Sequence, residues 1–248
     1  MKVIFNSMLV TTLRDRITLY YSLLFPIALL IGLDVFFDAQ QVMVRMLASV
    51  TAISTVFWGM QGIAFQVHWQ RSRGVYKLLK LTPMPIGSFI FMMVMARTVL
   101  GVAINSIVWF VGVVMIDVDV SLPMVAATFA LILAGTVCFT SIGFVLANFA
   151  RNEAQINMYA NMIQIPMIFM SEAFYQLDNA PDWVSAVGNI LPFEHYVKAL
   201  GGVLAGDYEH LMFGLLITGG FMLLALLCSI TTFKWENEQQ FELRRNAQ

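Results

Sequence analysis

The chain has 248 residues, 59% hydrophobic and only 12% charged, with a formal net charge of −1. A soluble domain carries roughly 25% charged residues, so this balance excludes an ordinary soluble fold and points to an integral membrane protein. The basic residues are dispersed over several loops, which leaves no nucleic-acid footprint.

Residues 1–18 contain Arg14, Asp15 and Arg16 and are not a span. Ser7, Thr11, Arg14, Asp15 and Thr18 form a polar helical stripe, while Val3, Phe5, Leu9, Val10, Leu13 and Ile17 cover the rest. This pattern suits a helix lying in the membrane interface, with a frayed polar terminus as the alternative. No short apolar core ends in a small-residue cleavage site, so a cleaved signal peptide is not expected.

Six apolar runs follow, at 19–37, 46–67, 86–116, 124–150, 157–170 and 211–233. A span needs about 20 residues. Pro26 is expected to kink the first. In the fourth, Thr136, Thr140, Gly143 and Ala147 make a small-residue face suited to close helix packing. The predicted fold is all-α, one membrane domain of six spans, with a charged tail at 234–248. Cys138 and Cys228 sit inside apolar runs and read as small hydrophobes. His68, His195 and His210 have no ligand partner at metal spacing.

Between the second and third runs lies a basic island, His68–Pro85, with four cations and no acid. Read as a helix from about Ser72, it places Arg73, Lys77 and Lys80 on one stripe and Val75, Leu78 and Leu79 on the other side. Pro83 and Pro85 end it. Eleven of the 14 Lys and Arg residues fall on this side of the six-span drawing; Arg45 and Lys198 fall on the other. The bias predicts that the island and both termini are cytoplasmic.

The segment 171–210 is too long for a turn and too apolar for a free loop. Pro181-Asp182-Trp183 reads as a helix start. Trp183, Val187, Ile190 and Leu191 then share a face, and Pro192 separates a second piece whose face is Phe193, Tyr196, Val197 and Leu200. Neither piece can cross a bilayer. Two short helices dipping into the outer leaflet is one reading; an interfacial loop with an aromatic belt is the other.

Three stretches then resemble one family. Gly74-x-x-x-x-Leu79-x-x-Thr82-Pro83, Pro166-Met-Ile-Phe-Met-Ser171, and Pro181-Asp-Trp183 followed by Leu191-Pro192-Phe193-x-x-Tyr196-Val197 are similar, in order and spacing, to the permease subunit of type-2 ATP-binding-cassette exporters. The chain departs from that family's pattern before the loop glycine, where Gln70, Arg71 and Arg73 stand in place of acids. It departs again after the fifth-span serine, where Glu172 stands in place of glycine.

The resemblance implies a partner ATPase, a second permease chain as homodimer or heterodimer, and a bacterial inner (cytoplasmic) membrane location. No GxxxxGK[ST] loop occurs in the sequence, so no cofactor is expected on this chain; ATP and Mg would be held by the partner subunit. By the same resemblance Arg71, Arg73, Val75, Lys77, Leu78, Leu79 and Lys80 belong to a helix that couples to the ATPase. The alternative is a basic helix that binds only lipid.

Within the spans, Glu153, Asn157, Asn161 and Gln164 recur at helical spacing. Amides in hydrocarbon face protein or water, so Asn157, Asn161 and Gln164, with Gln61 on the second span, are candidates to line a pathway or to bond spans together. Glu172, Trp183, Leu191, Phe193 and Tyr196 are outer-gate candidates, and solvation is the simpler reading of Glu172. Arg97 lies about 11 positions into the third run, about 16 Å along a helix, and is read as snorkelling inward, with a carboxylate or helix-end carbonyls as the alternative. The predicted function is export of an amphipathic or hydrophobic cargo: a drug, an antibiotic, a lipid or a peptide. The alternatives are a secondary transporter, for which the sequence shows no internal repeat, and a non-transporting regulatory membrane subunit.

Overall fold

The computed structural model describes residues 2–14, 16–37, 39–76, 85–175, 177 and 180–233, which contain helices and no strand. In chain order these are α1 (Lys2–Arg14), α2 (Arg16–Phe36) and α3 (Gln40–Val56), which runs through a π-helical turn (Phe57–Gln61) into α4 (Gly62–Ser72). Then come α5 (Ile86–Ile116), α6 (Leu122–Phe149) and α7 (Glu153–Phe169). The last are α8 (Asp182–Gly188), α9 (Pro192–Leu204) and α10 (Leu211–Thr232).

Among the described residues five stretches are long and apolar enough to cross a membrane: Thr18–Phe36, Val42–Ser72, Ile86–Ile116, Leu122–Phe149 and Leu211–Thr232. The protein is therefore a multi-pass, all-helical membrane protein. The fifth apolar run, α7, has 17 residues, or about 26 Å, against about 30 Å of hydrocarbon. Pro26 is buried inside a continuous α2.

Polar side chains set the helix starts. Ser121 Oγ accepts from the Met124 N–H at 3.3 Å at the head of α6. Asn152 Oδ1 accepts from the Gln155 N–H at 2.9 Å at the head of α7. Each satisfies one of the donors that a first helical turn leaves open.

The central element is α6, which packs against α10, α5, α9, α4 and the π turn. Its small residues make this possible. A Cβ on Gly143 would stand 2.3 Å from the Met60 carbonyl oxygen, and one on Gly135 would stand 2.6 Å from the Tyr196 ring. Thr136, Thr140 and Ala147 are fully buried on the same helix. Phe193, Tyr196 and Leu200 of α9 are likewise fully buried, and the Phe139 ring meets those of Phe193 and Tyr196 at 6.2 and 5.7 Å.

Two expectations change. The basic island does not begin a helix at Ser72: α4 runs to Ser72 and the chain breaks at Gly74, whose φ is +73°, a conformation that glycine adopts without the Cβ penalty. The chain turns helical again at Val75 and Tyr76, while Lys77, Leu78, Leu79 and Lys80 lie outside the described residues. α1 lies on α5 with Met8 and Thr12 buried and Val10 and Leu13 each 45% exposed. On α8, Trp183 points outward at 62% exposure while Val184 and Gly188 face inward. A Cβ on Gly188 would touch the Met170 carbonyl at 2.3 Å, so close approach to the end of α7 decides which face turns in.

Candidate functional site

A lateral cleft of about 890 Å³ opens between α1 and α2 on one side and α3, the π turn, α4 and α7 on the other. Tyr21, Phe25 and Leu29 of α2 face Phe57, Phe65 and Trp69 across it, and Ile165, Ile168 and Phe169 of α7 close one flank. The wall is largely aromatic and aliphatic. Polar groups are gathered on Thr11, Thr12, Ser54, Gln61, Gln66 and Arg97. Ser54, Trp58, Gln61 and Phe65 are spaced so that α3 and α4 present one continuous stripe, and all four line the cleft.

Arg97 forms the floor. It is 3% exposed and does not snorkel. Its Nε and Nη2 donate to the Trp58 carbonyl, each at 3.3 Å, and Nη1 donates to Gln66 Oε1 at 3.2 Å. The guanidinium carbon lies 4.4 Å from the Trp58 ring centroid, a cation–π contact. Trp58 Nε1 donates back to the Arg97 carbonyl at 3.4 Å, and Thr12 Oγ1 donates to Gln66 Oε1 at 3.4 Å.

The π turn is what makes this arrangement fit. A widened turn interrupts the ordinary i→i−4 ladder, and the Trp58 carbonyl in it takes the arginine. Two glycines clear the space. A Cβ on Gly62 would fall 1.5 Å from Arg97 Nη2, and one on Gly101 would fall 2.3 Å from Trp58 Nε1. The sequence flagged Arg97 as costly but carried no signal for the π turn, and Trp58 and Gln66 were not singled out as its partners.

The polar stripe on α7 meets the second apolar stretch. Gln61 Nε2 donates to Asn157 Oδ1 at 2.6 Å, Trp69 Nε1 to Glu153 Oε1 at 2.7 Å and Gln164 Nε2 to the Val56 carbonyl at 3.5 Å. Asn161 is exposed and makes no hydrogen bond among the described residues. The stripe therefore bonds α7 to α3, the π turn and α4; Glu153 lines the cleft with Gln61, whereas Asn157, Asn161 and Gln164 are not among its lining residues.

Arg71 is not on an exposed stripe. It is 4% exposed, with Nη1 donating to the Ala147 carbonyl and Nη2 to Asn148 Oδ1, both at 3.0 Å. It staples α4 to α6 and is turned away from any partner. Arg73 is exposed and Val75 is 37% exposed. Tyr76, the last described residue before the gap, is fully buried. Its ring meets Phe89 at 5.3 Å and Phe233 at 5.7 Å, and Phe233 stacks on Phe144 at 6.1 Å. The base of the basic island is thus anchored to α5, α6 and the end of α10.

The chain matches the ABC-2 type transporter family over residues 1–204. It belongs to that family. No curated protein matches it. As an ABC-2 membrane domain the chain is the permease component of an ABC transporter, and the family works with an ABC ATPase.

In this permease the opposite end of the bundle holds an ion-pair network that sequence reading missed. Glu194 is fully buried. Its Oε2 accepts from the Glu172 N–H at 2.7 Å, and its Oε1 lies 2.9 Å from Lys198 Nζ. Lys198 also lies 3.4 Å from Glu172 Oε1. Glu172 is therefore not simply solvated. Burial pushes the Glu194 carboxyl above its usual range, against the hydrogen bonds from Lys198 and the Glu172 N–H. Burial works against the Lys198 charge, but the hydrogen bond to Glu194 and the nearby carboxylates outweigh it and raise that pKa. The i,i+4 spacing of Glu194 and Lys198 was the available signal. Of the other outer-gate candidates, Phe193 and Tyr196 are buried and Leu191 is partly buried on the core.

Proposed function

We propose that the chain is the six-span permease of an ATP-driven exporter of amphipathic or hydrophobic cargo, working as two permeases with two ATPase subunits. The observation that carries this reading is the lateral cleft. Its aromatic wall and polar floor fit a molecule with an apolar body and a hydrogen-bonding end. Gln61 would edge the path with Asn157 hydrogen-bonded behind it, and α8 and α9, about 10 and 20 Å long, would close its outer end. α7 serves as the sixth span, its short length met by local thinning of the bilayer. ATP and Mg belong to the partner, in a bacterial inner membrane with both termini cytoplasmic.

Coupling would run through residues 71–82. Arg71 and Tyr76 fix the two ends of the Gly74 turn to the bundle, so a push on the segment reaches α4, α5 and α6. Leu78 and Leu79 are the apolar anchors offered to the ATPase. Leu78→Asp with Leu79→Asp is expected to leave the chain inserted yet lower the ATP hydrolysis that co-purifies with it at least tenfold, since a few buried anchors carry most interface energy. Undiminished co-purifying ATPase activity and transport would reduce the segment to a lipid anchor.

Topology is tested separately. With Lys77→Cys on a Cys138→Ser, Cys228→Ser background, an impermeant thiol reagent is expected to label only after the cells are opened. Labelling of intact cells would put the segment outside and end the exporter orientation proposed here.

A further inference from the structure

At the end of the bundle away from Gly74, α3, α9 and the head of α10 enclose a second cavity of about 480 Å³ that shares no lining residue with the lateral cleft. The two differ in kind. Arg45, Glu172, Lys198, Asp207 and His210 bring charge or a titratable ring to the small cavity, over an aliphatic patch of Val44, Ala48 and Val197. The volume lies within the 300–1,000 Å³ or so typical of ligand pockets. The Lys198 and Glu172 side chains are 29% and 22% exposed, so the cavity is open to entry.

The pairing within it is uneven. Lys198 is held between Glu172 and Glu194. Arg45 of α3 lines the cavity and has no ion pair among the described residues. Asp207 uses Oδ1 to accept from the Glu209 N–H at 2.9 Å, and its other oxygen has no partner among the described residues. One wall thus offers a cation, and another a single carboxylate oxygen, with no partner among the described residues. Gly201 and Gly202 leave the α9 wall without bulk between them.

Charge balance selects the occupant. A purely anionic ligand meets Glu172 and Asp207; a purely cationic one meets Arg45 and Lys198. A ligand carrying both signs meets a counter-charge on each wall, Arg45 on one and the exposed Asp207 on the other. Arginine binds phosphate through a two-pronged hydrogen bond, and a carboxylate accepts from an ammonium. We propose that this cavity is a binding site for a zwitterionic phosphate–ammonium group, with the phosphate on Arg45 and the ammonium on Asp207 and Glu172. A membrane lipid headgroup and a soluble phosphoethanolamine ester share this chemistry.

The test uses the purified full chain in detergent and native mass spectrometry. Phosphatidylethanolamine is expected to remain bound at several times the occupancy of phosphatidylglycerol with the same acyl chains. Arg45→Gln and Asp207→Asn should each cut the phosphatidylethanolamine adduct at least fivefold while leaving the unfolding midpoint of the lipid-free chain unchanged. Displacement of the adduct by millimolar O-phosphoethanolamine would assign the site to a soluble ester, and resistance to it would assign the site to a lipid. Equal or tighter binding of phosphatidylglycerol, an unchanged preference in both variants, or displacement by inorganic phosphate as effective as by O-phosphoethanolamine would each overturn the proposal.

Discussion

Arg97→Leu is expected to destabilise the folded chain by about 2–3 kcal/mol, because a buried acceptor that loses its donors costs about 1–3 kcal/mol and Gln66 Oε1 keeps only the Thr12 hydroxyl. The Trp58 carbonyl loses two donors and Gln66 Oε1 loses one. The indole of Trp58 loses the cation beside it. Arg97→Lys is expected to recover little, since an ammonium on a thinner stem cannot reach the Trp58 carbonyl and Gln66 in one plane. Thermal unfolding of the purified chain in detergent is the measurement. An unfolding midpoint within a degree of the parent for Arg97→Leu would mean that the side chain carries no structural load and that the π turn persists without it. The same substitution is expected to alter cargo handling, because the guanidinium is the floor of the cleft and anchors the α4 and π-turn wall to α5.

The second large effect is expected at Gly143. A Cβ there would lie 2.3 Å from the Met60 carbonyl oxygen, 2.6 Å from the Met60 Cα and 2.6 Å from Ile63 Cγ2. Two of those three atoms are backbone, so no rotamer change relieves the overlap, and α6 must move away from the π turn. Overpacking of this kind costs about 1–3 kcal/mol, and the branched side chain of Gly143→Val places it at the upper end, about 3 kcal/mol. Gly219→Ala is the control. No atom lies within 4 Å of its Cβ position, so this change is expected to be neutral, or stabilising by at most about 1 kcal/mol as for glycine to alanine inside a helix. Equal midpoints for Gly143→Val and the parent would disprove the close approach of α6 to the π turn.

The sequence by itself determined the class of this protein. Long runs without charge require helices that satisfy their own backbone. The runs at 86–116 and 211–233 became helices Ile86–Ile116 and Leu211–Thr232 because nothing in them competes with the 3.6-residue period. Pro192 divided α8 from α9 for a local reason, the missing donor, and is the first residue of α9. The small face of α6 was readable too, since Gly143 and Ala147 leave room for a neighbour wherever that neighbour lies.

Only the tertiary structure decided what the isolated charges do. Arg71 stood in the segment that the resemblance assigns to ATPase coupling, yet the carbonyl of Ala147 and the amide of Asn148, 76 and 77 residues along the chain, draw it inward. Arg97 had no local partner within its own run; its acceptors come from a π turn 39 residues away and from Gln66. Glu194 is buried, and Lys198 beside it and the Glu172 N–H across from it meet its charge. Periodicity records which residues avoid water. It does not record which distant carbonyl or amide lies opposite a charge once the helices pack, and that pairing sets the floor of the cleft and the ion-pair network at the other end of the bundle.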